Sequence, residues 1–270
     1  MTSKRAKIIN IVYISLVILF FYLPILSLII FSFNDGASLT RWIGFSMRWY
    51  KKLFESDKIL DSVKVSISIA LLATLISTVI GTLAAIAVAR RKRKFRNAIL
   101  FLNSIPIVNP EIVTAIGLLL FLTMFIEPSF NAMLIAHISF CVPYVFLTVY
   151  PKVRSLDPSL TEAAMDLGAN PWKALRHAVL PQIKGSILAG AAIAFTMSFD
   201  DFVISYFTGG SYENISVYLY NLPRGANPSI NALSTIIIIV ITIVVVINYI
   251  KSSKQYKKEN RIWKKYGFYY

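Results

Sequence analysis

The chain has 270 residues, 56% of them hydrophobic and only 15% charged, with a single cysteine and a net charge of +15. Soluble domains carry about a quarter charged residues, so this depletion points to the bilayer as solvent, and the lone Cys141 excludes an internal disulfide framework. The positive charge is not a nucleic-acid footprint, because it falls in blocks beside apolar runs, which is the topology signal of membrane proteins.

Six apolar windows are predicted to be membrane-spanning helices, over about 8–34, 62–89, 97–126, 130–151, 185–208 and 229–250. Each is long enough for the ~20 residues that cross about 30 Å of hydrocarbon. The predicted fold class is all-α, a single polytopic membrane domain over 1–270.

The first window follows Lys4, Arg5 and Lys7, is too long for a signal peptide, and is followed by no small-residue cleavage site, so it reads as an uncleaved span. The loop after it carries Arg41, Trp42, Phe45, Arg48, Trp49 and Tyr50. Such aromatics sit at the headgroup level in many membrane proteins. The sharper alternative is that Trp49 closes the outer mouth of a pathway.

Arg90, Arg91, Lys92, Arg93, Lys94 and Arg96 follow the second window. In the third, Asn103, Pro106, Asn109 and Pro110 come just before Glu111. Proline removes a backbone donor, and broken helices survive at membrane depth only where protein or a wet cavity covers them. An irregular stretch over 103–111, facing the bundle interior, is therefore expected. His137, in the fourth window, reads as a neutral histidine bonded inside the bundle and receives no role.

Lys152, Arg154, Lys173, Arg176 and Lys184 follow the fourth window, and Lys251, Lys254, Lys257, Lys258, Arg261, Lys264 and Lys265 follow the sixth. If the spans alternate, all the basic blocks fall on one side, opposite Glu127, Glu213, Arg224 and the mixed loop 35–61. Both termini are then cytoplasmic.

Between the fourth and fifth windows lies a polar island over 157–182. Asp157 can cap a helix that has Pro158 at its first position. Leu160, Ala163, Ala164 and Leu167 recur at helical spacing, and Gly168 suits the left-handed position that ends a helix. Asn170 and Pro171 restart one; Trp172, Leu175 and Val179 share its face, and Pro181 is expected to stop it. Two short helices lying along the cytoplasmic surface follow, either as a prop for the bundle or as a docking element.

Glu162-Ala163-Ala164, then Gly168 after three residues, then Leu180-Pro181, resembles the EAA signature of permease subunits of binding-protein-dependent ABC importers. Ala178 stands where that pattern has Ile, which weakens a packing contact and does not break the match. The resemblance implies that the loop is a coupling helix docking on an ATPase dimer, with Glu162, Ala163, Ala164, Asp166 and Gly168 at the contact. Further stretches, Ser198-Phe199-Asp200-Asp201-Phe202-Val203-Ile204-Ser205, Thr208-Gly209-Gly210 and Asn231-Ala232-Leu233-Ser234-Thr235, are similar to the polyamine branch, specifically the second permease of spermidine/putrescine importers. Trp49-Tyr50, Pro110-Glu111-Ile112-Val113 and Asp166-Leu167-Gly168-Ala169 fit as well. The partners so implied are a homologous second permease, the ATPase dimer, an extracellular substrate-binding protein and a polyamine. No cofactor belongs to this chain; ATP with magnesium is expected in the ATPase. The implied location is a bacterial inner or plasma membrane.

Glu111, Asp200 and Asp201 are carboxylates inside the predicted spans or at their edge, with no Lys or Arg inside those spans to neutralise them. Intramembrane acids mark a pathway or a partner by default, and unpaired ones make a field for a cation. In a continuous fifth helix, Phe195, Phe199, Phe202 and Tyr206 form one stripe and Ser198, Asp201, Ser205 and Thr208 the adjoining face. Asp201 is thus the expected lumen residue. Asp200, about 100° away, is the candidate for a partner or the external surface. The substrate-pathway candidates are Trp49, Glu111, Ser198, Asp200 and Asp201. Glu111 can also cap the helix restarting after Pro110.

No catalytic residue is expected. Adjacent acids on a helix diverge and cannot form an aspartyl dyad, and no Ser-His-acid pattern, metal-ligand cluster or phosphate loop is evident in the sequence. An intramembrane enzyme, a passive channel, and an importer of another small solute such as ferric ion or an organophosphonate are the alternatives.

Overall fold

The computed structural model describes residues 4–38, 41–222 and 228–265, with side chains described except at 4, 5, 7, 244, 245, 248 and 251–265. Arg224 and the basic side chains from Lys251 onward, both used above for topology, lie outside the described residues, as do those of Lys4, Arg5 and Lys7.

The chain is nearly all helical. In order come α1 (Lys4–Ser32), α2 (Arg48–Glu55), α3 (Asp57–Ala89), α4 (Arg93–Val108), α5 (Glu111–Leu122), α6 (Phe130–Arg154), α7 (Ser159–Asp166) and α8 (Pro171–Ala174). A π-helical turn (Leu175–Val179) leads into α9 (Leu180–Phe199), then α10 (Val203–Thr208), α11 (Ile215–Asn221) and α12 (Ser229–Lys265). Among the described residues the β-structure is one isolated bridge, Asn34 to Phe45. Among the described residues, four helical stretches are long and apolar enough to cross a membrane: Ile8–Ser32, Asp57–Ala89, Phe130–Arg154 and Pro171–Phe199. The α4–α5 pair, bent by 105°, would make a fifth, and α12 has a shorter apolar stretch over Ser229–Ile243.

Two compact units form, one from 1–57 with 223–270 and one from 58–222. In the first, α12 packs against α1 and α2. Its loop is organised by buried Asn34, whose amide donates to the carbonyls of Ser38 and Arg41 and accepts from the N–H of Ile43. In the second unit, α6 and α9 pack along their length around small side chains such as Ala136, Cys141, Val145, Val149 and Ala194. Small residues let membrane helices approach closely. A Cβ on Gly81 of α3 would sit 2.8 Å from Val145, and one on Gly190 of α9 would meet the same residue at 3.3 Å.

Two expectations need correction. The predicted irregular stretch over 103–111 is confined to Asn109 and Pro110; α4 runs through Pro106 to Val108 before bending. Asn103 does face inward, donating to the Pro143 carbonyl of α6 at 3.2 Å. Pro181 does not stop the second elbow helix. The π-helical turn widens the ladder just ahead of it, and Pro181 falls in the first turn of α9, where a missing N–H leaves no bond unmade. The long helical stretch here runs over Pro171–Phe199, and α10 is a separate segment after a break at 200–202.

Candidate functional site

The 105° bend between α4 and α5 and the break between α9 and α10 lie close together, because α10 packs on α5. Glu111 opens α5; Asp200 ends α9, and Asp201 precedes α10. Glu111 is within electrostatic reach of both aspartates. The three predicted acids are thus gathered where two helices are interrupted, an arrangement that discontinuous membrane helices use to present polar groups at depth. Glu111 and Asp200 are exposed and make no ion pair among the described residues.

Asp201 is different. Its carboxylate has no exposed surface and lies 3.4 Å from Nε2 of His137, which is itself buried in α6. Oδ2 accepts from the N–H of Ser205 at 2.8 Å and from its hydroxyl at 2.7 Å, and Oδ1 accepts from the N–H of Ile204 at 3.3 Å, so Asp201 caps α10. The proton inventory fixes the histidine tautomer. Ser205 spends its one hydroxyl proton on Asp201 and accepts from Asn214 Nδ2 at 2.8 Å, so its 3.0 Å contact with His137 requires Nε2 to carry a proton. In the neutral ring Nδ1 then accepts from Ser198 Oγ at 2.7 Å. Asn214 donates its second proton to the Asp201 carbonyl at 2.6 Å, while its Oδ1 caps α11 through the N–H of Val217. The N–H of Ile215 reaches Ser66 of α3 at 2.7 Å. This knot ties α3, α6, α9, α10 and α11 together, with its buried polar groups paired as burial demands.

Several sequence expectations change here. Ser198, Asp201, Ser205 and Thr208 are all buried, as one face, but that face is closed by His137 and Asn214. His137, given no role from the sequence, is central; its partners lie 61 and 68 positions away, and no local signal announces them. A Ser-His-acid connection exists after all, but Ser198 is as buried as His137, and no surface is left for a substrate to approach its hydroxyl. The aromatic stripe divides at the helix break: Phe195 stacks on Phe199 at 5.6 Å, while Phe202 and Tyr206 gather with Tyr220 of α11. Trp49 belongs to the other unit. Its indole is buried, donates to the Asn34 carbonyl at 2.7 Å, and lies beneath Arg48 and Lys52 at 4.5 and 5.0 Å from the ring centre.

The polar island forms the second part of the site. The Asp157 carboxylate accepts from the N–H of Ser159 at 2.9 Å, and this bond holds its carboxyl below the usual aspartate range. Gly168 adopts φ +84°, the left-handed end predicted for α7, and the N–H of Ala169 returns to the Ala164 carbonyl. Asn170 caps α8 by accepting from Lys173 N–H at 2.8 Å. Glu162, Ala163, Asp166 and Gly168 are exposed and Ala164 is half-buried. The apolar face expected of α7 points outward: Leu167 is 90% exposed, and Trp172 at the start of α8 is 65% exposed. The side facing the bundle is marked by buried Thr161, which accepts a 2.6 Å hydrogen bond from Arg90 Nη2.

Residues 77–252 match the family described as binding-protein-dependent transport system inner membrane component. The chain is 36% identical over 227 residues to the spermidine/putrescine transport system permease protein PotC of Escherichia coli (strain K12), covering 82% of this chain and 85% of that protein. It is 37% identical over 230 residues to the putrescine transport system permease protein PotI of the same strain, covering 81% and 82%. Among solved structures it resembles a chain of a bacterial ABC transporter involved in the import of the acidic polysaccharide alginate, with a TM-score of 0.74 over 93% of this chain and 98% of that one; at 15% identity this likeness concerns the fold.

Proposed function

The chain belongs to the binding-protein-dependent transport system inner membrane components, and from that membership we propose how it works: as the permease through which polyamines cross, driven by ATP hydrolysed in a separate subunit. It is a transport subunit and not an enzyme. The polyamine reading is supported by its identity to PotC and PotI over most of its length, together with the gathering of Glu111, Asp200 and Asp201 where two helices break. A linear polyamine is a chain of ammonium groups separated by methylenes, and it suits carboxylates flanked by aromatic walls such as Phe195, Phe199 and Phe202.

In this reading six spans are α1, α3, the bent α4–α5 pair, α6, α9, and α12, with both termini on the cytoplasmic side. The basic residues after the second and fourth spans set that orientation. A homologous permease completes the pathway, and an extracellular binding protein delivers substrate to the outer loops. The island from Asp157 to Pro181 is the coupling element, and the observation that carries this is its outward apolar face: Leu167 and Trp172 are exposed beside Glu162 and Gly168, a surface suited to a groove on an ATPase dimer. Glu111 and Asp200 lower the barrier to the cation; Asp201 holds the helix break in shape.

The test is uptake by proteoliposomes holding this chain with its partner permease, ATPase and binding protein. ATP-dependent accumulation of labelled spermidine or putrescine, competed by other polyamines and not by ferric ion or phosphonates, is expected. Uptake competed by either of the latter would replace the substrate, and uptake independent of ATP would overturn the importer.

A further inference from the structure

The corner where α3 turns into α4 carries more positive charge than the chain itself balances. Arg91, Lys92, Arg93, Lys94 and Arg96 are crowded there, and none forms an ion pair among the described residues. The first turn of α4 holds no acidic residue, and Lys92 supplies no capping bond. These cations therefore sit where the helix dipole is already positive. Between the two helices runs a groove of about 440 Å³, walled by Ala87, Val88, Phe95 and Ile99 and rimmed by Arg91 and Lys92.

The groove continues into an apolar track. Leu75, Val79, Leu83 and Ala87 occupy successive one-turn positions on α3, all exposed, and Arg91 follows in the bend just past the helix end at Ala89. From Leu75 to Ala87 the ridge is about 18 Å long at 1.5 Å per residue, more than the ~15 Å half-thickness of a hydrocarbon core. On α4, Phe95, Leu102 and Ile105 are exposed as well. Cations at one end and hydrocarbon contact along the rest complement a molecule with a negative head and acyl chains. An acidic protein surface would satisfy the cations and leave the ridge uncovered; a free phosphate would leave both ridge and groove walls uncovered.

We propose that the α3–α4 corner is a binding site for one anionic phospholipid, its phosphate between Arg91 and Lys92 and its chains along the Leu75–Ala87 ridge. The site rests on the chain crossing a membrane and is independent of which solute is carried.

The purified transporter assembly, stripped of lipid, is equilibrated with phosphatidylglycerol or phosphatidylcholine, and retained lipid is counted by native mass spectrometry. Wild type should retain phosphatidylglycerol preferentially, and excess inorganic phosphate should not displace it. In Arg91→Gln/Lys92→Gln the affinity should fall about thirty-fold, from two cations each contributing about 1 kcal/mol near an anionic surface. Arg91→Lys should keep it, and Lys173→Gln/Arg176→Gln, an equal charge loss in the elbow, should leave it unchanged. No headgroup preference in wild type, equal retention by the Gln pair, or displacement by phosphate or by an acidic peptide overturns the proposal. Should the Gln pair fail to assemble, added salt on wild type decides: retention must weaken as screening grows, and salt-independent retention overturns it. Uptake is measured on the same preparations, so lost transport with intact lipid selectivity counts against the transport reading alone.

Discussion

Arg90 Nη2 donates to Thr161 Oγ1 at 2.6 Å, linking the end of α3 to the buried side of α7 across 71 positions of sequence. The elbow is thereby moored to the helix that also holds Ser66 beneath α11, at the other end of the same unbroken rod. A hydrogen bond from a charged donor contributes about 1.5–3 kcal/mol. Arg90→Ala and Thr161→Val should each loosen α7, lowering uptake per ATP hydrolysed about ten-fold, whereas Thr161→Ser keeps the hydroxyl and should behave as wild type. Paired uptake and ATPase rates in proteoliposomes decide, and an unchanged ratio in both variants would refute the mooring.

Gly168 closes α7 at φ +84°. Any Cβ there meets the following carbonyl, costing about 1–2 kcal/mol. Gly168→Ala should cut uptake while the amount of protein in the membrane stays at the wild-type level, and Gly168→Asn should be milder because Asn tolerates that region. Immunoblots of membranes beside uptake rates distinguish this from misfolding.

Asp200 and Asp201 are neighbours with different work. Asp201→Asn puts an amide donor against the N–H groups of Ile204 and Ser205, so thermal stability in detergent should drop by the equivalent of about 3–5 kcal/mol. Asp200→Asn, at an exposed position, should leave the melting temperature alone and raise the KM for polyamine. The reverse pattern would exchange their roles.

Beneath the elbow is a cavity of about 50 Å³ lined by Arg90, Asp157, Thr161, Ala178 and Val179. Ala178 occupies the place where the EAA signature has Ile. Filling the space with Ala178→Val or Ala178→Ile should stabilise the elbow by about 1 kcal/mol, taking about 24 cal/mol per Å³. The check is hydrogen exchange in 159–180, which should slow; faster exchange would mean the cavity cannot accept the added carbons.

Asp157 offers a pH dependence. Its carboxyl is lowered in the folded protein by the bond from Ser159, so its contribution to the elbow is present above the unfolded aspartate value and is lost as pH falls through the lower folded one. Exchange in 159–166 should therefore accelerate on acidification through that window, and in Asp157→Asn this acceleration should be absent.

The elbow was legible because its instructions are local: Asp157, Gly168 and Asn170 each act on backbone within four residues. The apolar windows were legible for the same reason, since span length and charge are read along the chain. The knot was not. His137 sits in an apolar run, and its partners are brought to it only by the packing of α6 on α9 and α10. Helical periodicity placed Ser198, Asp201 and Ser205 on one face correctly but assumed an unbroken helix, and nothing in Ser198-Phe199-Asp200-Asp201 announces the interruption. Pro181 misled because a wide turn, invisible to periodicity, carries the helix past it.

Val145 lies between Gly81 and Gly190: a methyl group on Gly81 would have to displace it, and one on Gly190 would press it by a few tenths of an ångström. Helices α3, α6 and α9 meet closely at that point. In the proposed transport role, rearrangement is then expected at the joints: at 109–110, at the wide turn 175–179, and at 200–202.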